Sequence, residues 1–383
     1  MYYHKLGKIP RKRHIVFKKE DGSLYREQLM GLQGFSGPSS LLYKENLPTA
    51  TSSMKKLAIG DQEGSEISTS FTNWHFKTAA LSTDESFFQS RVPLLKNPQV
   101  EIGVSTFSSN SILRNASHHE LHFLHSGEGQ LRSEFGTLNL HSGDYIYIPK
   151  GITHQWDFEG DVRVLLTQSL QPMEFPSRYL GATGQFLEHS PVCERDIRVP
   201  ETLEPCLEKG DFRILVHRSG EYFEQVLDHH PFDTVGWDGY LYPFAISIHD
   251  FEPLVGRIHQ PPPIHQIFNS AHFVVCNFVP RLFDFHPEAI PAPYFHSNTD
   301  SDEVLYYVDG EFMSRKGIEQ GSITLHPAGI PHGPQPGKTE ASVGVHETVE
   351  LAVMIDTFEP LMVTDKALGI QQEDYVRSWL EQE

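Results

Sequence analysis

The sequence contains little cysteine, no long hydrophobic run and few basic residues relative to acidic ones. Its three cysteines, at positions 193, 206 and 276, indicate neither a disulfide framework nor a cysteine-based zinc site. No apolar stretch approaches the roughly 18 residues of a membrane-spanning helix, and no hydrophobic segment of a secretion signal follows the charged start. With 31 basic and 50 acidic residues, the formal net charge of −19 argues against nucleic acid and membranes as partners. We therefore expect a soluble, cytoplasmic protein.

What the sequence does contain is typical of a folded β protein. Its 383 residues, 38% of them hydrophobic, suggest two domains or one large β architecture. Short β-branched and aromatic runs end at turn signals, as in 143–149 (GDYIYIP) and 304–310 (VLYYVDG). With 29 glycines and 26 prolines in the chain, this pattern predicts a sandwich or barrel. The clearest helical pattern is C-terminal, where a shared face that we expect to pack on a sheet is formed by Tyr375, Val376, Trp379 and Leu380.

The most informative pattern is an internal repeat. Residues 143–154 (GDYIYIPKGITH) match residues 321–332 (GSITLHPAGIPH), with Gly, Pro, Gly-Ile and His at identical spacing. Upstream of the two copies, Glu120 and Glu303 each stand seven residues before a glycine. The chain therefore contains two β units of one kind.

The repeat resembles the cupin signature, in which a His and a Glu flank one hairpin and a later His follows a Gly, a strand and a Pro-Gly turn. The second unit has the full set, namely His296, Glu303 seven residues later, and His332. In the first unit Leu113 stands seven residues before Glu120, so the first imidazole is missing. We therefore expect one working metal site.

The cupin resemblance implies an all-β dominated bicupin. Such a protein has two β-sandwich or jelly-roll units and a few short helices, here including the C-terminal one. We expect an N-terminal domain over 1–230, which contains a degenerate cupin unit at about 100–160, and a catalytic cupin domain over 231–383.

Two imidazoles and one carboxylate are a suitable ligand set for a divalent metal ion. On one face of an ion, His296, Glu303 and His332 leave positions free for substrate and oxygen, as in non-haem iron enzymes. The same types also hold catalytic zinc, so the residues alone do not identify the metal. Histidines at 118, 119, 122 and 125 surround Glu120 and make a second site conceivable, but we favour a decayed site because none stands in the motif position.

Four further segments resemble homogentisate 1,2-dioxygenases. They are 235–244 (VGWDGYLYPF), 292–298 (APYFHSN), 331–334 (PHGP) and 25–31 (YREQLMG). The resemblance implies an iron(II) enzyme, with Fe(2+) as cofactor, that cleaves the aromatic ring of homogentisate with O2 to give 4-maleylacetoacetate. This reaction belongs to tyrosine and phenylalanine breakdown. The resemblance also implies a homo-oligomer, either a trimer or a hexamer.

The same resemblance implies roles for single residues. The family places iron ligands on His296, Glu303 and His332, and its acid/base histidine falls on His259, with the neighbouring His265 as the alternative. In this interpretation His259 handles the phenol proton of the substrate, which a base of histidine's pKa is suited to remove.

In addition to His332, several other residues are candidate substrate contacts. Tyr294 matches a family tyrosine expected near the substrate. Asn298 is a candidate contact, although asparagine in a turn has a simpler explanation. His326 is open among a substrate contact, a group that orients a ligand and a plain core histidine.

Two residues depart from the family pattern. Phe312, also a predicted substrate contact, stands where the family has an active-site tyrosine, and Asp238 replaces a family histidine. Two alternatives therefore stay open. One is a related cupin dioxygenase that acts on another hydroquinone-like or phenolic acid, and the other is a non-catalytic or isomerase metal-binding bicupin.

Overall fold

The computed structural model describes residues 2–59, 66–68, 71–81, 91–105, 111–310 and 312–380. Strands dominate, and they form several sheets, which confirms the prediction of an all-β fold with few helices. The strands are β1 His4–Gly7, β2 Arg26–Gly31, β3 Ser39–Lys44, β4 Thr51–Lys56, β5 Glu66–Ser68, β6 Trp74–Lys77, β7 Arg91–Lys96, β8 Val100–Ser105, β9 Ile112–Asn115, β10 His119–Ser126, β11 Gly129–Ser133, β12 Gly136–Leu140, β13 Asp144–Ile148, β14 Thr153–Phe158, β15 Arg163–Ser169, β16 Lys209–Arg218, β17 Glu221–His229, β18 Thr234–Gly239, β19 Phe244–Ser247, β20 Gln266–Asn269, β21 Phe273–Phe278, β22 Arg281–Leu282, β23 Asp302–Asp309, β24 Ser322–His326, β25 Glu347–Thr348, β26 Leu351–Thr357 and β27 Met362–Thr364.

The helical segments are short. The described residues contain no helix long and apolar enough to cross a membrane. The segments are the α-helices α1 Lys338–Ser342 and α2 Asp365–Leu368 and the 3-10 helices Gln33–Phe35, Thr78–Ala80, Ser177–Tyr179, Glu194–Asp196, Ile248–Asp250, Pro262–His265 and Glu373–Trp379.

Two facing sheets enclose the first copy of the repeat. One has the order β19-β13-β10-β15-β8-β7-β27-β5, and the other has the order β12-β11-β14-β9-β16-β17-β4. His122 of β10 meets Trp156 of β14 edge to face, with ring centroids 4.8 Å apart. Leu131, which pairs with Trp156, is buried on the same side, whereas alternation along β10 turns Phe123 to the other face of its sheet, where its ring centroid lies 5.0 Å from that of Tyr145. Burial of each such side chain contributes roughly 1.5–3 kcal/mol of transfer free energy.

The second copy forms a sheet of order β20-β21-β26-β23-β24-β6. Its edge strand β6 comes from residues 74–77, far upstream, and pairs with β24. Conversely, β27 near the C terminus pairs with β7 in the first unit. The two units thus exchange strands at both ends of the chain, and the division into domains at residue 230 stays a prediction.

Equivalent glycines have the same backbone conformation in the two copies. Gly143 and Gly321, immediately before β13 and β24, have φ of +90° and +79°, and Gly151 and Gly329 have φ of +88° and +82°. Side chains other than glycine rarely adopt these angles, so the glycine spacing in the sequence encodes matching turns. The structure therefore contains the two related units that the repeat predicts.

The predicted C-terminal helix is a 3-10 helix, Glu373–Trp379. No side chain caps its start, and it lies on the second sheet through Tyr375, whose ring centroid is 5.3 Å from that of His75 on β6. Tyr375 therefore packs on the sheet as expected, but Val376 and Leu380 are exposed, so the predicted shared face is wrong for these two residues. The hydrogen-bond pattern of the helix is also tighter than predicted.

Candidate metal centre and its cavity

His296, Glu303 and His332 come together at one end of the second unit. One potential ligand atom from each lies within 4.8 Å of the other two, and within the described parts of the chain no other trio of His, Cys, Asp or Glu meets this criterion. A reciprocal pair of 2.9 Å backbone hydrogen bonds joins His296 to His332, and Glu303 lies in β23. The Nε2 atoms of His296 and His332 lie 3.5 Å and 3.4 Å from the two carboxylate oxygens of Glu303.

Hydrogen bonds orient both imidazoles. The Nδ1 atom of His332 lies 3.0 Å from the carbonyl oxygen of Ile330, and that of His296 lies 3.3 Å from the carbonyl oxygen of Tyr294. Because a carbonyl only accepts, Nδ1 carries the hydrogen and Nε2 keeps its lone pair in a neutral ring. The Nε2 atom of His332 is buried and makes no hydrogen bond of good geometry. Both rings therefore present a metal-binding nitrogen toward the carboxylate.

Glu303 is 6% exposed and surrounded by imidazoles. Burial alone would raise its pKa, but the contacts with His296, His326 and His332 outweigh this effect and hold the pKa well below its usual range. The contact with Glu303 in turn raises the pKa of His296. An ionised carboxylate between imidazoles is an electrostatic environment suited to a cation.

The structure places His326 behind this carboxylate. Its Nδ1 atom lies 2.8 Å from Glu303 Oε1, its Nε2 atom lies 3.1 Å from the Tyr375 hydroxyl, and the ring is fully buried. Burial lowers the pKa of His326 to about 4. Of the three roles left open by the sequence, these contacts favour orientation of a ligand over contact with a substrate.

A cavity of about 540 Å³ opens beside the three candidate ligands. Its wall contains most of the site residues that the sequence singles out, whereas His326 and His332 are not part of it. The predicted residues on the wall are His259, His265, Tyr294, His296, Asn298, Glu303 and Phe312.

The two candidate acid/base histidines differ in their surroundings. His259 Nδ1 lies 3.2 Å from Asp284 Oδ2, its side chain is 41% exposed, and its ring centroid is 5.1 Å from that of Tyr294. His265 is 4% exposed, and burial lowers its pKa to about 3. Its ring stacks on Phe278, 5.4 Å between centroids. A carboxylate-oriented, accessible imidazole suits proton transfer better, which favours His259.

Four charged residues of the cavity wall are absent from the predicted site. Asp356 on β26 stands directly opposite Glu303 on β23, and burial raises its pKa well above the usual range. Arg281 lies 3.1 Å from Glu350, so these charges offset each other. Arg315 is 8% exposed and donates hydrogen bonds to the carbonyl oxygens of Ser314 and Gly333. The one available signal was for Asp356, an acidic residue directly after the apolar run of residues 351–355.

Asp238, which departs from the family pattern, lies outside the wall of this cavity. It lies on β18, in the N-terminal sheet of order β1-β18-β3-β2, and accepts hydrogen bonds of 2.9 Å from Tyr3 and from Arg13. The expected effect of Asp238 on substrate choice therefore has no support in its position, and the departure at Phe312 is the one that faces the cavity.

The corresponding position in the first unit is filled differently. Leu113 pairs with His154 across β9 and β14, where the second unit pairs His296 with His332. Amide groups of Asn115 and Gln168 donate to Glu120 Oε1, at 3.0 Å and 2.9 Å. The space beside Glu120 and His154 is about 10 Å³, which is comparable to one water molecule.

Comparisons with known proteins show the family of this chain. Residues 101–248 match the family model for the homogentisate 1,2-dioxygenase N-terminal region, and residues 245–383 match the model for the C-terminal region. A candidate dioxygenase of Saccharolobus solfataricus is 39% identical over 99% of each chain. The homogentisate 1,2-dioxygenase of Bradyrhizobium diazoefficiens is 26% identical over 69% of this chain and 62% of that enzyme, so the match spans less than two thirds of its length.

Two solved structures that match this chain have low sequence identity and low TM-scores. A cupin 2 conserved barrel domain protein from Leptotrichia buccalis is 9% identical, with a TM-score of 0.34, over 74% of this chain and 94% of that one. A mutant of Bacillus subtilis oxalate decarboxylase is 11% identical, with a TM-score of 0.35, over 82% and 85%.

Proposed function

This chain belongs to the homogentisate 1,2-dioxygenase family, and from that premise we propose that it opens the ring of homogentisate with O2 at an iron(II) ion. The product is 4-maleylacetoacetate, which contains both atoms of the O2 consumed. The observation that carries the proposal is the convergence of His296, Glu303 and His332 beside a cavity that is large enough for an aromatic acid and whose wall includes His296 and Glu303.

The residues fit a divalent ion. Two Nε2 atoms and an ionised carboxylate face one another, and the buried Nε2 of His332 has no hydrogen-bond partner that would compete with a metal. His296, Glu303 and His332 would hold iron(II), which would supply Lewis-acid activation of the phenol and the reaction with O2.

His259 is the proposed acid/base. A phenol has a pKa near 10, so a base at neutral pH aids removal of its proton. Asp284 holds Nδ1 of His259, which leaves Nε2 for the substrate hydroxyl, and the edge contact with Tyr294 limits rotation of the imidazole. After ring opening, the same nitrogen returns the proton.

Arg315 is the proposed partner of the substrate carboxylate. Its guanidinium is buried in the cavity wall with backbone carbonyls as acceptors, whereas the charge of Arg281 is already offset by Glu350. A buried cation without a carboxylate is costly, and an anionic substrate would compensate it. Phe278, Leu305 and Met354 supply apolar wall for the aromatic ring and exclude water from it.

Phe312 favours a second candidate substrate. Its ring packs against Tyr307, with centroids 4.5 Å apart, and it presents no hydroxyl to the cavity. A related hydroquinone-like or phenolic acid that needs one hydrogen bond fewer than homogentisate is therefore the runner-up.

A substrate comparison tests the proposal. O2 uptake by iron-loaded protein is measured with homogentisate and with methylhydroquinone, which lacks only the carboxyl group. We expect kcat/KM to favour homogentisate at least about 100-fold, because Arg315 gains no carboxylate partner when the neutral analogue binds. In the Arg315→Met variant, the ratio of kcat/KM for homogentisate to kcat/KM for methylhydroquinone should be smaller. Turnover of another phenolic acid with homogentisate inert would contradict the substrate assignment.

A further inference from the structure

A hydrogen-bonded chain connects the C-terminal segment to the carboxylate of the candidate metal centre. Tyr375, in the 3-10 helix Glu373–Trp379, lies 3.1 Å from Nε2 of His326, whose Nδ1 lies 2.8 Å from Glu303 Oε1. All three side chains are buried, at 6% exposure or less. A buried chain of this kind has no solvent to replace a lost member.

The chemistry of the three groups sets the direction of the chain. A carboxylate only accepts, so Nδ1 of His326 carries the hydrogen and donates it to Glu303. In the neutral ring Nε2 is then an acceptor, and the Tyr375 hydroxyl donates to it. Oε1 of Glu303 is thereby held in place while Oε2 faces His296.

The internal repeat provides a natural comparison. Glu120 in the first unit pairs with Ile148 across β10 and β13, in the register in which Glu303 pairs with His326. The first unit therefore fills the position of His326 with an apolar side chain and holds its carboxylate by amides. The imidazole is present in the unit that retains the complete ligand set, which argues that His326 serves the metal centre rather than packing.

The C-terminal segment is also fastened beside the third candidate ligand. The indole of Trp379 donates to the carbonyl oxygen of Gly333 at 3.0 Å, immediately after His332. The amide of Gln335 donates to the Ser378 hydroxyl at 2.6 Å. Two contacts thus fix the position from which Tyr375 reaches His326.

We propose that Tyr375, acting through His326, is a positioning residue that orients Glu303 for metal binding, which makes the C-terminal segment a functional part of the centre. The inference rests on the metal centre of the proposed function, but not on homogentisate as substrate. Groups that hold a metal ligand typically change metal affinity 10- to 100-fold when they are removed.

The test compares two buried tyrosines by metal binding. Tyr375→Phe removes the hydroxyl that contacts His326, and Tyr306→Phe removes a buried hydroxyl that lies 2.7 Å from His125. Each variant is titrated with Fe(II) without oxygen and with Co(II), whose absorption spectrum reports the ligand geometry, and unfolding of the metal-free proteins is measured in urea. We expect the Kd for metal to rise about tenfold in Tyr375→Phe and to stay unchanged in Tyr306→Phe.

A double-mutant cycle separates positioning from packing. His326→Asn keeps an amide donor near the place of Nδ1 but has no atom for Tyr375, so Tyr375→Phe should not weaken metal binding further in that background. Equal metal affinity in parent, Tyr375→Phe and Tyr306→Phe would overturn the inference. A parent that binds no metal would contradict the metal centre itself. Weakened metal binding in Tyr375→Phe, with homogentisate inert in the parent, would support the inference. It would contradict only the assignment of homogentisate as the substrate.

Discussion

The substitution His296→Leu gives the second unit the residue that the first unit has at the equivalent position, Leu113. In the first unit Leu113 pairs with His154, as His296 pairs with His332 in the second. A unit of this kind therefore accommodates leucine at the position of His296. We expect His296→Leu to fold and to lose most of its metal-dependent stabilisation, because one of three candidate ligands is removed.

The magnitude follows from two contributions. Without metal, the variant loses a 3.5 Å contact to Glu303 from a side chain that is 30% exposed, which solvent screening limits to at most about 1 kcal/mol. With free metal at about 100 times the parent Kd, the parent gains about 2.7 kcal/mol. A Kd raised about 100-fold leaves the variant a gain of only about 0.4 kcal/mol under the same conditions.

The assay is urea unfolding with and without Fe(II) in the absence of oxygen. His154→Leu is the matched control, since it removes the equivalent imidazole of the first unit, where Leu113 already replaces one ligand. The control should keep the metal-dependent gain of the parent. The reasoning is refuted if His296→Leu retains that gain, or if His154→Leu loses it.

Three further predictions concern other residues. Phe312→Tyr should lower KM for homogentisate about tenfold, the value of one added hydrogen bond of about 1.4 kcal/mol, and an unchanged KM in steady-state kinetics would show that position 312 does not contact substrate. His259→Gln should lower kcat by about 10²–10⁴ in oxygen-uptake assays while Fe(II) affinity stays at the parent value, and full turnover would exclude His259 as acid/base. Burial lowers the pKa of His119 to about 3 and that of His75 to about 4, from 6.5. The unfolded chain therefore binds more protons below pH 6.5, and the free energy of unfolding should fall by about 1.4 kcal/mol per histidine per pH unit from 6.5 toward 4, with no contribution above 6.5. Urea titrations of the metal-free protein should show a shallower pH dependence in His119→Gln, and an unchanged slope would contradict this assignment.

The repeat made much of the fold and the ligand set predictable. Glycine at a fixed distance before each histidine sets matching turns, and those turns fix the register of the strands that follow. The spacing from His296 to Glu303 and from Glu303 to His332 therefore predicted that these three side chains lie together in the folded protein. For the same reason, the sequence showed that the first unit has leucine, Leu113, at the position where the second unit has His296.

Residues brought in by distant pairings were not predictable. Asp356 faces Glu303 because β26 pairs with β23, and Tyr375 reaches His326 from the C-terminal segment. No local pattern encodes either contact. Asp238 is the opposite case. It lies in the segment 235–244, which resembles the family, but it contacts Arg13 outside the cavity. Assembly into trimers or hexamers stays a prediction.

The most direct measurement of the central claim is the stoichiometry of oxygen consumption by iron(II)-loaded protein supplied with a limiting amount of homogentisate. We predict consumption of one O2 per homogentisate and appearance of 4-maleylacetoacetate in the parent, and neither in the His332→Ala variant. Iron-loaded protein that consumes no O2 with homogentisate, or a His332→Ala variant that is fully active, would contradict it.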